Sequence, residues 1–130
     1  MKQVNKKYLP EYTDGFFDLY RIKTDETQSF PEEKLENLHM QIWYREISIF
    51  DRVRYELAQS DLEVTLKIRI PRFKGVDSKC VCLIDGIQHE VYNATGVYDK
   101  NGYPETEITL KKPMHERNIE EDAKDEETGT

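Results

Sequence analysis

The sequence predicts an all-β protein, a small antiparallel β-barrel, and three observations carry that prediction. Between Leu62 and Ile70 an apolar residue recurs at every second position, with Glu63, Thr65, Lys67 and Arg69 between. Asp85-Gly86 separates two apolar runs, and Asp-Gly is a strong signal for a two-residue hairpin turn because both central residues need positive φ. Further turn signals follow at close spacing, which gives about six or seven strands and little helix, a pattern of small barrels or sandwiches.

The elements follow in order. Residues 1 to 13 have no sustained period and contain Pro10, so they read as a flexible arm that orders against a partner. Asp14-Gly15 opens a mixed aromatic and aliphatic run, Phe16 to Ile22, which predicts a first strand over about 15 to 24. Thr24 to Leu38 is polar, and Pro31 followed by two acids suits either a short helix or a long exposed loop; the loop, with at most one helical turn, is the expectation. Met40 to Phe50 is rich in β-branched and aromatic residues and predicts a second strand on which Trp43, Ile47 and Ile49 can share a face. Residues 51 to 61 stay open, since Phe50, Val53 and Leu57 fit a helix while Val53, Tyr55 and Leu57 alternate as in a strand. The run from Leu62 is the third strand, and it ends at Pro71, which cannot donate to a ladder.

The Asp85-Gly86 turn fixes a register in which Cys82 faces His89 and Cys80 faces Val91. Cys80, Cys82, Ile84, Ile87, His89 and Val91 then share one side of the hairpin. Two sulfurs and an imidazole on one face raise a zinc hypothesis. A structural zinc site closes with four ligands at spacings such as Cys-x2-Cys, whereas Cys-x-Cys on a strand sets the residues roughly 6.5 to 7 Å apart. The same geometry disfavours a disulfide between them, which would also close almost no loop. The cysteines are therefore read as small core hydrophobes, and no metal or other cofactor is expected. Asn101-Gly102 predicts a last turn, into the alternating Thr106, Ile108 and Leu110.

Charge divides the chain. The net charge of −7 is concentrated after residue 112: Pro113 to Thr130 holds seven acids against Arg117 and Lys124, a net −5. Residues 1 to 112 carry 17 basic and 19 acidic residues and are nearly neutral. The expected organisation is an arm at 1–13, a barrel at 14–112 and a disordered, solvated acidic tail at 113–130. No apolar run of 18 residues exists, and no hydrophobic stretch follows the basic N-terminal residues, so neither a membrane span nor a secretory signal is expected. No phosphate-cradling glycine loop, Gly-x-Ser-x-Gly or His-Glu-x-x-His occurs, and no residues stand out for catalysis. Glu105 and Glu107, at alternate strand positions, read as a solvated face and not as a catalytic dyad. Lys67 and Arg69 on the polar side of the third strand, with Arg72, Lys74 and Lys79 after it, suggest a local positive strip, which a nucleic-acid-binding barrel would use.

The order of these elements resembles a known family. A first strand, a Trp-containing second strand, the connection Arg52-Val53-Arg54-Tyr55-Glu56-Leu57-Ala58 and the strand Val64-Thr65-Leu66-Lys67-Ile68-Arg69-Ile70 are followed by Asp77. Then come the hairpin containing Gly86-Ile87-Gln88-His89-Glu90-Val91-Tyr92 and the closing Glu105-Thr106-Glu107-Ile108-Thr109-Leu110. Over roughly residues 15 to 110 this resembles the head-tail connector, or head-closure (stopper-type head completion), proteins of tailed phages of Gram-positive bacteria.

The resemblance implies a non-enzymatic virion protein, assembled in the host cytoplasm, whose copies form a homo-oligomeric ring at the head-tail interface. Its implied partners are the portal-adaptor ring above and the tail-completion or tail-terminator protein below, with genome DNA in the channel and no sequence recognition. Subunits of this kind are often monomeric until they meet the template. In some members the long loop between early strands reaches into the channel; here it would be Thr24 to Leu38, whose Asp25, Glu26, Phe30, Glu32, Glu33 and Glu36 become candidate partner- or channel-facing residues. Lys67, Arg69, Arg72 and Lys74 are the basic candidates. The acidic tail and the long arm depart from the family pattern.

Overall fold

The computed structural model describes residues 9–25, 31–47 and 63–120, which contain seven strands and no helix. In chain order they are β1 (Gly15–Asp25), β2 (Glu32–Glu46), β3 (Val64–Pro71), β4 (Cys80–Ile84), β5 (Ile87–Tyr98), β6 (Pro104–Lys111) and β7 (Asn118–Ile119). The first six follow one another around a ring-like sheet, β1-β4-β5-β6-β3-β2, and β2 returns to β1. All six seams are antiparallel, and β7 adds to β2 in parallel at Lys34 and Leu35.

The alternation of β3 sets its faces as expected: Ile68 and Ile70 are fully buried while Lys67 and Arg69 point outward. The hairpin register also matches, with Cys82 opposite His89 and Ile84 opposite Ile87 around Asp85 (φ 50°) and Gly86 (φ 78°). The inward residues Phe17, Leu19, Tyr44, Ile68, Ile70, Cys80, Cys82, Val91, Ile108 and Leu110 form the main core. The hairpin face is not uniform, because Ile87 beside the turn is 57% exposed. Tyr20, Leu35 and Val81 form a second, smaller core on the other face of β1 and β4.

Four expectations need correction. First, Thr24 to Leu38 is not a long loop: β1 runs to Asp25, β2 starts at Glu32, and the strands pair from Gly15–Tyr44 to Asp25–Glu32. The segment hides its strand because it stands beyond β4, whose first residue Cys80 pairs with Arg21, so its described side chains are mostly polar, with Leu35 fully buried and Leu38 packed against the main core. Register shifts where β2 bulges through Leu38, His39 and Met40; His39 sits at φ 56° and its N–H donates to Asn37 Oδ1 (2.8 Å).

Second, the boundary at residue 113 falls inside the fold. Pro113 is buried, β7 pairs with β2, and Glu120 N–H donates to Leu35 O (2.8 Å). Composition concealed this because the segment is held by polar groups, not by an apolar stripe. Third, the turn at Asn101-Gly102 is present but wider than a two-residue hairpin loop: it runs from Asp99 to Tyr103, and Asp99 Oδ1 accepts from Asn101 N–H (2.9 Å) and Tyr103 N–H (2.7 Å). The side chain of Asp99 substitutes for a turn carbonyl, which lets only Gly102 carry positive φ. Fourth, residues 9–13 lie against the body, where Tyr12 hydrogen-bonds to β6, and are not a free arm. Trp43 stands on the outer surface, 50% exposed and 5.1 Å from the Phe16 ring, while Ile47 is half-buried; Ile49 and the undecided residues 51 to 61 lie outside the described residues.

Candidate functional site

β2 connects two polar regions, one at each of its ends. At its start stands the acidic group drawn from the sequence. Glu32 accepts from Asn118 Nδ2 (2.9 Å), Glu33 accepts from Arg117 Nη2 (3.4 Å), and Glu36 is exposed beside Arg21. Asp25 ends β1 with its backbone opposite Glu32; its side chain, and all of Glu26 and Phe30, lie outside the description. A cleft of about 520 Å³ separates Pro31–Glu33 from His115–Asn118. Two of the acids are thus occupied by the chain's own C-terminal segment.

At the other end of β2 the sequence reading is overturned. Glu105, read as part of a solvated face, is fully buried on the outer side of β6. Arg45 of β2 donates to both of its oxygens, from Nε to Oε2 at 2.9 Å and from Nη2 to Oε1 at 2.6 Å. Tyr12 donates to Oε2 at 2.8 Å, and Arg69 Nη1 reaches Oε1 at 3.4 Å. Four donors on two oxygens saturate the carboxylate. The hydrogen bonds to Glu105 hold Arg45 protonated above its usual range. Burial, and then the neighbouring Glu105, push the Tyr12 phenol well above the ordinary tyrosine value. The group is a clamp that ties the arm, β2, β3 and β6 together.

The basic strip is consumed by the same network. Arg69 donates from Nε (3.1 Å) and Nη2 (3.0 Å) to Glu107 Oε1, and Lys67 Nζ lies 3.6 Å from Glu107 Oε2. Arg72 donates to the carbonyls of Glu105 (2.9 Å) and Val97 (2.7 Å) and lies over the Tyr98 ring at 5.0 Å. Lys74 is exposed on the loop after β3. Of the four basic candidates, three are committed inside the protein. Between the arm and this cluster a cleft of about 680 Å³ is lined by Leu9, Pro10, Arg45, Arg69 and Asp99 to Asn101. Sequence reasoning missed Tyr12 and Arg45, which stand 93 and 60 positions from Glu105. The one available signal was that Glu105 and Glu107 share an outward parity with Lys67 and Arg69, which pairs charges once β3 and β6 are known to be neighbours.

The sulfur and imidazole groups behave as core. Cys80 and Cys82 are free and fully buried, and burial pushes both thiols up, away from the reactive thiolate. Cys80 Sγ donates weakly to Asp77 Oδ1 (3.6 Å), and Asp77 itself is held low chiefly by the Lys79 backbone N–H. Among the described residues no group of three or more His, Cys, Asp or Glu is arranged to hold a metal ion. No described helix is long and apolar enough to cross a membrane, a statement that leaves strands aside.

His89 is half-buried, and its Nδ1 lies 2.8 Å from Thr65 Oγ1. Burial lowers its proton affinity below the ordinary value of 6.5. Below pH 6.5 the unfolded chain therefore binds a proton that the folded protein refuses, so stability falls with pH until the depressed folded value is reached. Urea titrations between pH 7.5 and 5 should show this loss, and His89→Gln should flatten it; an unchanged profile would place the acid sensitivity elsewhere.

No family model matches the chain, and no curated protein matches it.

Proposed function

We propose that the chain is a structural subunit of a phage head-tail connector, which closes the DNA-filled head and offers a docking surface to the tail. The observation that carries this reading is that β1 and β2 run on past the start of β4, Ile22–Asp25 beside Glu32–Leu35 with β7 added along Lys34 and Leu35, in the segment that some members of the resembled family turn toward the channel. A ring-like sheet with such a strand extension suits a subunit that packs beside its own copies. Heterologous packing of such subunits closes into a ring. Its partners are then the portal-adaptor ring and the tail-completion or tail-terminator protein, its place is the virion, and it performs no chemistry.

The alternative of a nucleic-acid-binding barrel has less support, since Lys67, Arg69 and Arg72 spend their charge or donors within the chain. The test is to mix the purified protein with DNA-filled, portal-adaptor-bearing heads that lack their closure subunit. Co-sedimentation, ring density at the portal vertex by electron microscopy and retention of DNA are expected. Absence of the protein from the heads overturns the reading. Salt-dependent binding to single-stranded DNA by the free protein would favour the alternative.

A further inference from the structure

We propose that residues 117–120 are an exchangeable strand, and that the seat they occupy on their own chain also takes the same segment of a second copy. The seat recognises backbone. Gln88, 9% exposed, clamps Arg117 with both ends of its amide: Nε2 donates to Arg117 O (2.7 Å) and Oε1 accepts from Arg117 N–H (3.0 Å). Asn118 and Ile119 then pair in parallel with Lys34 and Leu35. This is the addition of a short strand to a sheet edge, a mode by which proteins also take up segments of other chains.

Three features make the occupant replaceable. Asn118 and Ile119 are both exposed, so the segment buries little apolar surface and is held by hydrogen bonds and by the Arg117 pairs to Glu90 (3.2 Å) and Glu33 (3.4 Å). Among the described residues the buried polar side-chain atoms without a partner are Arg117 Nε and Glu120 Oε2, both on this segment. Its link to β6 is short: Lys112 N–H is fixed to Glu63 O (2.8 Å) and Pro113 is buried, after which Met114, His115 and Glu116 are all exposed. Contacts made with a second copy would be the same as those made within one chain. The balance between the two is then set by effective concentration, on the order of millimolar for a short tether, and adjacent copies in an assembly reach that range. Exchange of an identical element is a low-cost route to association. The inference rests on this seat alone and not on the connector reading.

The test uses two full-length variants, Lys34→Cys and Asn118→Cys, mixed under mild oxidation. A disulfide-linked species of twice the 15.5 kDa chain mass is expected, at least about tenfold above a control mixture of Lys34→Cys with Lys112→Cys, which measures random collision. Adding Gln88→Ala to the Lys34→Cys chain should abolish that excess. Dimer at the control level, or an excess insensitive to Gln88→Ala, overturns the proposal. A chain carrying both Lys34→Cys and Asn118→Cys must close its disulfide internally; failure to do so removes the seat and the proposal with it.

Discussion

Replacing Glu105 with alanine is expected to cost about 3 to 5 kcal/mol of folding free energy, the range found when one partner of a buried ion pair is removed. The substitution deletes no apolar contact of consequence; its cost is the company left behind. Arg45 and Arg69, with side chains only 26% and 23% exposed, would face each other across adjacent strands without the carboxylate that separates them, and the Tyr12 hydroxyl would lose its acceptor. Partial solvation of the two guanidinium groups places the value toward the lower end of the range. A domain of this size has about 5 to 15 kcal/mol in total, so the midpoint of urea unfolding should move far to the left with the slope unchanged. A shift under about 1 kcal/mol would mean that the carboxylate is solvated after all, as strand alternation alone suggests.

Phe17→Ala should cost a comparable amount, about 3 to 5 kcal/mol, by the different route of an unfilled cavity. Phe17 is fully buried on the inner face of β1, stacked on Tyr44 at 6.3 Å between ring centroids. Its neighbour Phe16 points the other way, 39% exposed against Trp43, and Phe16→Ala should cost less than about 1 kcal/mol. Paired urea titrations of the two variants measure the facing of β1 directly. Equal losses would mean that the strand is rotated from its described register.

The parts of this fold that were legible in the sequence are those whose cause is local. The alternation of Leu66, Ile68 and Ile70 marked β3, and the need for positive φ at Asp85 and Gly86 fixed the β4–β5 register to the residue. What stayed hidden depends on partners distant along the chain. The first residues of β2 are polar because their strand stands clear of β4, so their period carries no hydrophobic signal. Glu105 looks like any outward acid until the strand order brings Arg45 and the arm over it. Residues 117–120 read as tail because Gln88 and Glu90, which hold them, lie on a hairpin whose own pattern gives no reason to expect a guest. The acidic and basic candidates were found as residues, but their engagement with Asn118, Arg117 and Glu107 was not.

Among the described residues the seam between β2 and β3 joins Arg45 to Arg69 and Glu46 to Ile68, with one more backbone hydrogen bond from Ile47 to Lys67 (2.9 Å), whereas β1 and β2 pair along nearly their whole length. Under a pulling load this described joint should part before the long β1–β2 seam does. Glu105 acts there as a rivet, gripping an arginine on either side of the crack line. A chain built this way yields, when strained, at that joint while β1 and β2 keep their places.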